Sequence, residues 1–164
     1  DCIKCSSTWR NPTRVDSMLR LHFPKTYKLS YSLHELLKFN LNVDLTDVFC
    51  ATCATKTPHS LRWQLSNDLL LVEILRSEER LRKKASAVFF NHKDVQINEI
   101  PYQVLGSCHH SGYINSGHWV AKLKILNKWW LFDNLKSSPS LSSPPGSITD
   151  TSVTILLLQK LNRD

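Results

Sequence analysis

Two groups of residues in this 164-residue chain have the types and spacing for chemistry. The first is Gly117-His118-Trp119 with the aromatic run Trp129 to Phe132, which ends on Asp133 and Asn134. A carboxylate beside one imidazole nitrogen fixes the ring tautomer and stabilises the imidazolium. The other nitrogen can then take a proton from a thiol or hydroxyl. The second group is Cys2-x-x-Cys5 and Cys50-x-x-Cys53. Each knuckle can bring two thiolates to one ion at about 2.3 Å, and two knuckles close a tetrahedral site. No position stays open, so a structural zinc is expected rather than a catalytic one. The sequence opens with no charged segment leading into an apolar one, so zinc ligation is expected over disulfides. The fifth cysteine, Cys108, reads as a packed free thiol.

The histidine and the aspartate need two strands. After Gly117, Trp119, Ala121, Leu123 and Ile125 alternate with His118, Val120, Lys122 and Lys124, which is the period of a strand. His118 therefore points away from the large apolar side chains, toward a cleft or solvent. Lys128 to Asp133 must fold back across a very short connection, so the two strands pair antiparallel. A four-residue turn, Lys124 to Asn127, sets His118 directly opposite Asp133. It also sets Trp119 against Phe132 and Ala121 against Trp130 on a buried side. A two-residue turn at Leu126-Asn127 keeps His118 and Asp133 on one face, a diagonal apart, whereas a three-residue loop separates them. Apolar matching favours the four-residue turn. Gly112 and Gly117 give the preceding loop backbone freedom and let a substrate strand approach closely.

The knuckles need a framework of their own. Two distant C-x-x-C units imply strands that separate and meet again, with zinc holding the tip of a thin extension. Asp44 and Asp47 are expected on a loop approaching the second knuckle. Ser32-Leu33-His34-Glu35 is a capping-box pattern, and Leu33, Leu36 and Leu37 supply the apolar stripe of a helix to about Asn40. Met18 to Phe23 alternates like a half-buried strand ended by Pro24. Leu69 to Leu75 is a nearly continuous apolar run, read as a buried strand in which Glu73 needs a partner or an edge. Arg76 to Arg80 reads as a polar loop. Val88 to Phe90, Val95 to Ile97 and Thr154 to Leu158 read as further strands. Ser137 to Ser147, rich in serine and proline, is expected as a surface loop. Many short strands, one clear helix and non-local cysteine pairs describe an α+β fold dominated by antiparallel sheet.

Composition narrows the classes. Hydrophobic residues make up 41% and charged residues 21%, ordinary for a globular protein. No apolar run reaches the roughly 20 residues of a membrane span. The chain starts at Asp1, so a natural start upstream is expected. The net charge of +7 allows an acidic partner or nucleic acid, but the basic residues are scattered. Their densest cluster, Arg76 to Lys84, is interrupted by Glu78 and Glu79.

These motifs resemble those of the ubiquitin-specific protease domain, a papain-like cysteine peptidase. Tyr102-Gln103-Val104-Leu105, His110-Ser111-Gly112 and Gly117-His118-Trp119 match the family's histidine box. Trp130-Leu131-Phe132-Asp133-Asn134 matches its third box. The two C-x-x-C units, the Ser32 to Leu37 helix between them, the Leu71 to Arg76 strand and the closing Thr154 to Leu158 strand follow in the family's order.

The resemblance implies a papain-like cysteine-peptidase half-domain, the C-terminal part of the family's domain. Zinc-ribbon fingers would occupy about residues 1–68 and a palm about residues 69–164, with a Ser/Pro-rich loop at 137–147. It implies His118 as general base, Asp133 as its orienter and Asn134 as an additional polar stabiliser. Gly112, Gly117 and Trp119 would border the groove for the substrate tail, with Trp119 standing where tyrosine is usual. Cys2, Cys5, Cys50 and Cys53 would hold structural zinc. The family's cysteine box has no counterpart here, so this chain supplies the base and not the nucleophile, and alone is expected to be inactive.

The implied substrates are conjugates of ubiquitin or a ubiquitin-like modifier, in the cytoplasm or nucleus. Asp133-Asn134-Leu135-Lys136 loosely resembles the SUMO isopeptidases, and a basic surface suits acidic SUMO. A catalytically dead ubiquitin-binding module and a zinc-ribbon nucleic-acid binder are the other readings. The aromatics suit core strands better than a stacking platform, so nucleic acid is not the expected partner.

Overall fold

In a computed structural model, the structure describes residues 1–7, 18–41, 43–61, 68–76, 85–113, 116–147 and 149–161. Arg76 apart, the polar loop expected at Arg76 to Arg80 and the basic cluster expected at Arg76 to Lys84 lie outside these residues, as do Ile114 and Asn115 of the loop before His118. In chain order the elements are β1 (Met18–Leu21), β2 (Ser30–Ser32), α1 (Leu33–Leu41), β3 (Val43–Cys50), β4 (Thr55–Leu61) and β5 (Leu69–Ile74). There follow β6 (Ala87–Phe89), β7 (Val95–Ile97), β8 (Ile100–Tyr113), β9 (Ser116–Ile125), β10 (Lys128–Asp133), β11 (Ser140–Ser142) and β12 (Val153–Lys160).

One eight-stranded sheet carries the fold, in the order β1-β5-β12-β8-β9-β10-β11, with β7 pairing β8. Its pairs are antiparallel apart from β1 with β5. Two small ladders, parallel β2–β6 and antiparallel β3–β4, stand apart from it. This is the expected α+β class, a mostly antiparallel sheet with little helix.

Helix α1 forms where the capping box lies. The Glu35 amide donates to Ser32 Oγ at 3.1 Å, and Glu35 Oε2 accepts from the Ser32 amide at 2.8 Å. The helix buries Leu33, Leu36, Leu37 and Leu41 against one face of the sheet. There they meet Leu19, Leu21, Val72, Ile74, Tyr102, Val104, Trp129, Leu156 and Leu158 in one cluster. Strand β5 alternates instead of being buried throughout. Val72 and Ile74 face the core while Leu69 and Leu71 are exposed. Glu73 finds its partner in Arg20 on β1, whose Nε donates to Oε2 at 3.0 Å.

Three local expectations are corrected. The approach to Cys50 is strand β3, paired with β4, and not a loop. The Ser/Pro-rich segment contains β11, which extends the sheet beyond β10. The apolar sides of β9 and β10 are also exchanged. The buried tryptophan is Trp129, paired with Lys124, whereas Trp119 is 53% exposed. The expected buried side is an outer face. Across it, Leu141, Trp130, Leu123, Gly106, Leu157 and Leu71 line up strand by strand. Two-sided hydrophobicity let the alternation be read with either face inward.

Candidate active site and metal centre

Strands β9 and β10 are joined by a two-residue turn, Leu126-Asn127, with φ of 47° and 62°. Positive φ at both positions is the turn type that matches the twist of a tight hairpin. Asparagine tolerates that conformation and leucine adopts it at a cost, so the turn forms without the glycine that usually signals it. Asp133 is consequently paired with Val120, and Phe132 with Ala121. The four-residue turn and the direct His118–Asp133 opposition do not occur. The two side chains share a face one diagonal apart, the spacing of the two-residue turn, and their length closes the gap: His118 Nε2 lies 2.8 Å from Asp133 Oδ1.

The carboxylate can only accept, so Nε2 carries the hydrogen, and in the neutral ring Nδ1 is the acceptor. The Leu135 amide also donates to Asp133 Oδ1, at 3.0 Å. That amide first, and then the His118 ring, hold the Asp133 carboxyl below its ordinary range against the opposing effect of burial. Side-chain exposure is 34% for His118 and 13% for Asp133: the ring can be reached while its orienter is shielded. His118 lies on the core face, at the end of the sheet beyond the buried cluster, and not on the face away from the core.

The remaining expected residues divide. Asn134 lies in the exposed turn after β10. Gly112 has φ of +112°, a conformation that favours glycine, and pairs with Gly117. The space at Gly117 is taken by the chain itself: a Cβ there would lie 2.2 Å from the Ser111 carbonyl oxygen and 2.4 Å from His110 Nε2. Trp119 projects from the face opposite His118 and packs against His110, with ring centroids 4.6 Å apart and planes tilted by 36°.

Beside this pair is a polar cluster that no sequence motif announces. His109, paired with Val120, is 5% exposed. Its Nε2 lies 2.8 Å from Ser107 Oγ, and its Nδ1 lies 3.0 Å from Ser152 Oγ and 3.3 Å from Asp150 Oδ2. Burial opposes the charge of Asp150. Hydrogen bonds from His109 and from the Ser152 hydroxyl and amide outweigh it and hold the carboxyl well below the usual range. Next to it, Arg76 donates from Nε to the Val153 carbonyl at 2.7 Å and from Nη1 to the Ser86 carbonyl at 2.8 Å. Only the Asp-x-Ser spacing of Asp150 and Ser152, a turn-forming pattern, hinted at this hub.

At the far end of the β3–β4 hairpin the four cysteines meet. Their Sγ atoms all lie within 4.8 Å of one another. Cys2 and Cys53 are 3.9 Å apart, and Cys5 and Cys50 are 3.7 Å apart. These distances are too long for disulfides and bracket the ~3.8 Å edge of a tetrahedron with 2.3 Å bonds. The first knuckle is tied down by the Cys2 amide donating to Ser7 O at 2.9 Å and the Ile3 amide donating to Pro58 O at 3.0 Å. Cys50 is lowered to about 5, first by the Ser7 hydroxyl, while Cys53 is pushed up to about 12, first by Cys5 and then by burial. Four thiolates here would need a cation, and the donor set fits one.

No protein-family model matches the chain, and no curated protein matches it in sequence. Its fold is nevertheless found among solved structures. It is similar to a chain of the SAGA Ubp8/Sgf11/Sus1/Sgf73 DUB module bound to ubiquitin aldehyde, with a TM-score of 0.63 and 20% identity over 90% of this chain. In the same module bound to monoubiquitin the TM-score is 0.66 at 20% identity, again over 90% of this chain. A further structure of the module gives 0.63 at 22% identity over 88%; one related structure names its source as yeast. This chain covers 34–36% of the length of those chains. At such identity the likeness shows a shared fold alone. No helix among the described residues is long and apolar enough to cross a membrane.

Proposed function

We propose that this chain is the base-bearing, C-terminal part of a cysteine-type deubiquitinase. It comprises zinc-ribbon fingers over about residues 1–68 and a palm over about residues 69–164. The observation that carries the reading is the 2.8 Å contact of His118 Nε2 with Asp133. On this reading Nδ1 takes the proton of a thiol supplied from outside these 164 residues. The thiolate attacks the carbonyl at the modifier's C-terminus. The imidazolium, stabilised by Asp133, then gives its proton to the departing amine, and water releases the acyl group by the same route. Cys2, Cys5, Cys50 and Cys53 hold a zinc ion that fastens the fingers and takes no part in the chemistry.

The substrates are conjugates of ubiquitin or a ubiquitin-like modifier, and the compartment is reducing, in keeping with five cysteines outside any disulfide. The ubiquitin-bound neighbours favour ubiquitin; the +7 charge leaves acidic SUMO as the alternative.

The test uses the full-length protein that carries this chain, with ubiquitin and SUMO probes bearing an electrophilic C-terminus. One probe is expected to label it, and His118→Ala to abolish labelling. Labelling unchanged by His118→Ala would overturn the assignment of the base. Binding of the probe protein without labelling would favour the catalytically dead module.

A further inference from the structure

The metal centre has a second layer that the cysteine spacing does not disclose. Thr57 lies on β4, four residues past Cys53, and is only 5% exposed. Its Oγ1 lies 3.2 Å from Cys2 Sγ. Ser7 Oγ lies 3.1 Å from Cys5 Sγ and 3.4 Å from Cys50 Sγ. Three of the four sulfurs thus have a hydroxyl within hydrogen-bonding reach, supplied by two side chains. Strand alternation turns Thr57 inward, and the Cys2 amide–Ser7 carbonyl bond brings Ser7 back over the first knuckle.

The direction of these bonds follows from the chemistry. A cysteine must lose its proton to bind a metal. A metal-bound thiolate can only accept, so each hydroxyl becomes the donor. A divalent ion held by four thiolates carries a net charge of −2, and O–H donors aimed at the sulfurs spread that charge. They also fix the sulfur lone pairs that face the ion.

We infer that Thr57 and Ser7 are positioning residues of the metal site, tuning its affinity by donating hydrogen bonds to the ligating sulfurs. This rests on the reading of the four cysteines as a zinc site. Thr57 contributes more than Ser7, because its bond is buried and free of competing water. Thr57→Val keeps the β-branched shape and removes only the donor; Thr57→Ser keeps the donor.

The test is zinc competition against a chromophoric chelator, using the 164-residue chain loaded with zinc. Thr57→Val is expected to weaken zinc binding about 10–100-fold and Ser7→Ala to weaken it less, with Thr57→Ser restoring most of the affinity. Circular dichroism of each loaded variant checks that the sheet is intact. Ser7→Ala, at a partly exposed position, keeps the test open should Thr57→Val fold poorly. Zinc held by both Thr57→Val and Ser7→Ala as tightly as by the unsubstituted chain overturns the inference and leaves the zinc site standing. Failure of the unsubstituted chain to bind one zinc overturns both.

Discussion

Gly117→Ala should disturb the fold and the histidine together. The added methyl would lie 2.2 Å from the Ser111 carbonyl oxygen and 2.4 Å from His110 Nε2. Ordinary carbon contacts lie near 3.5 Å, so the ends of β8 and β9 must part by about 1 Å. The nearer obstacle is backbone of the paired strand, which cannot swing away as a side chain could. Overpacking of this kind costs about 1–3 kcal/mol, which for a domain of this size lowers the melting temperature by roughly 2–12 °C. His118 is the next residue. A shift of its strand by about 1 Å is enough to lengthen its 2.8 Å bond to Asp133 beyond hydrogen-bonding range. Thermal melts followed by circular dichroism read the first effect, and the His118 imidazole nitrogen resonances read the second. Gly106→Ala is the comparison. Its methyl would meet the tip of the Leu123 side chain at 2.7 Å, a contact that a rotamer change relieves. The expected order is a larger loss at Gly117 than at Gly106. Gly117→Ala melting within about 1 °C of the unsubstituted chain, with His118 resonances unmoved, would refute the packing argument.

Arg76→Met should cost about 2–5 kcal/mol, because it strips the Val153 and Ser86 carbonyls of buried donors, and urea melts measure it. Asp150→Asn should destabilise the chain at neutral pH and much less in acid. The folded-state carboxyl titrates well below its unfolded value near 4, so its contribution is present above about pH 4 and is lost as pH falls toward the folded value. The stability gap between the two proteins, measured by urea melts at several pH values, should narrow in acid; a gap that widens would refute the assignment. Leu126→Gly should stabilise by about 0.5–1 kcal/mol, because φ of 47° strains leucine and the side chain is 92% exposed, and its melting temperature should rise.

Much of the candidate site was legible in the chain because its signals are local. The capping box at Ser32 and Glu35, the two cysteine knuckles and the glycine before His118 depend on spacings of a few residues, and α1 and the cysteine cluster form where those spacings place them. The register of β9 against β10 was not legible to the same degree. It hangs on Leu126-Asn127, a turn whose first residue is unfavourable in the conformation it adopts. Apolar matching then chose the wrong pairing, because both faces of these strands carry large apolar side chains. Trp129 is covered by the core and Trp119 is not, and no count of alternation separates the two.

The same reason hid the polar clusters. Asp150 and His109 lie far apart in sequence and meet because β12 lies beside β8; Thr57 reaches Cys2 because β4 closes the hairpin against the first knuckle. The sequence by itself determined which groups are present, which strand carries the histidine, and that a carboxylate follows one hairpin later. Tertiary structure decided which face of the sheet is covered, which side chains fill the space at Gly117, and that His118 and Asp133 meet on a diagonal. Spacing along a chain sets local geometry, whereas burial is a property of what packs against it.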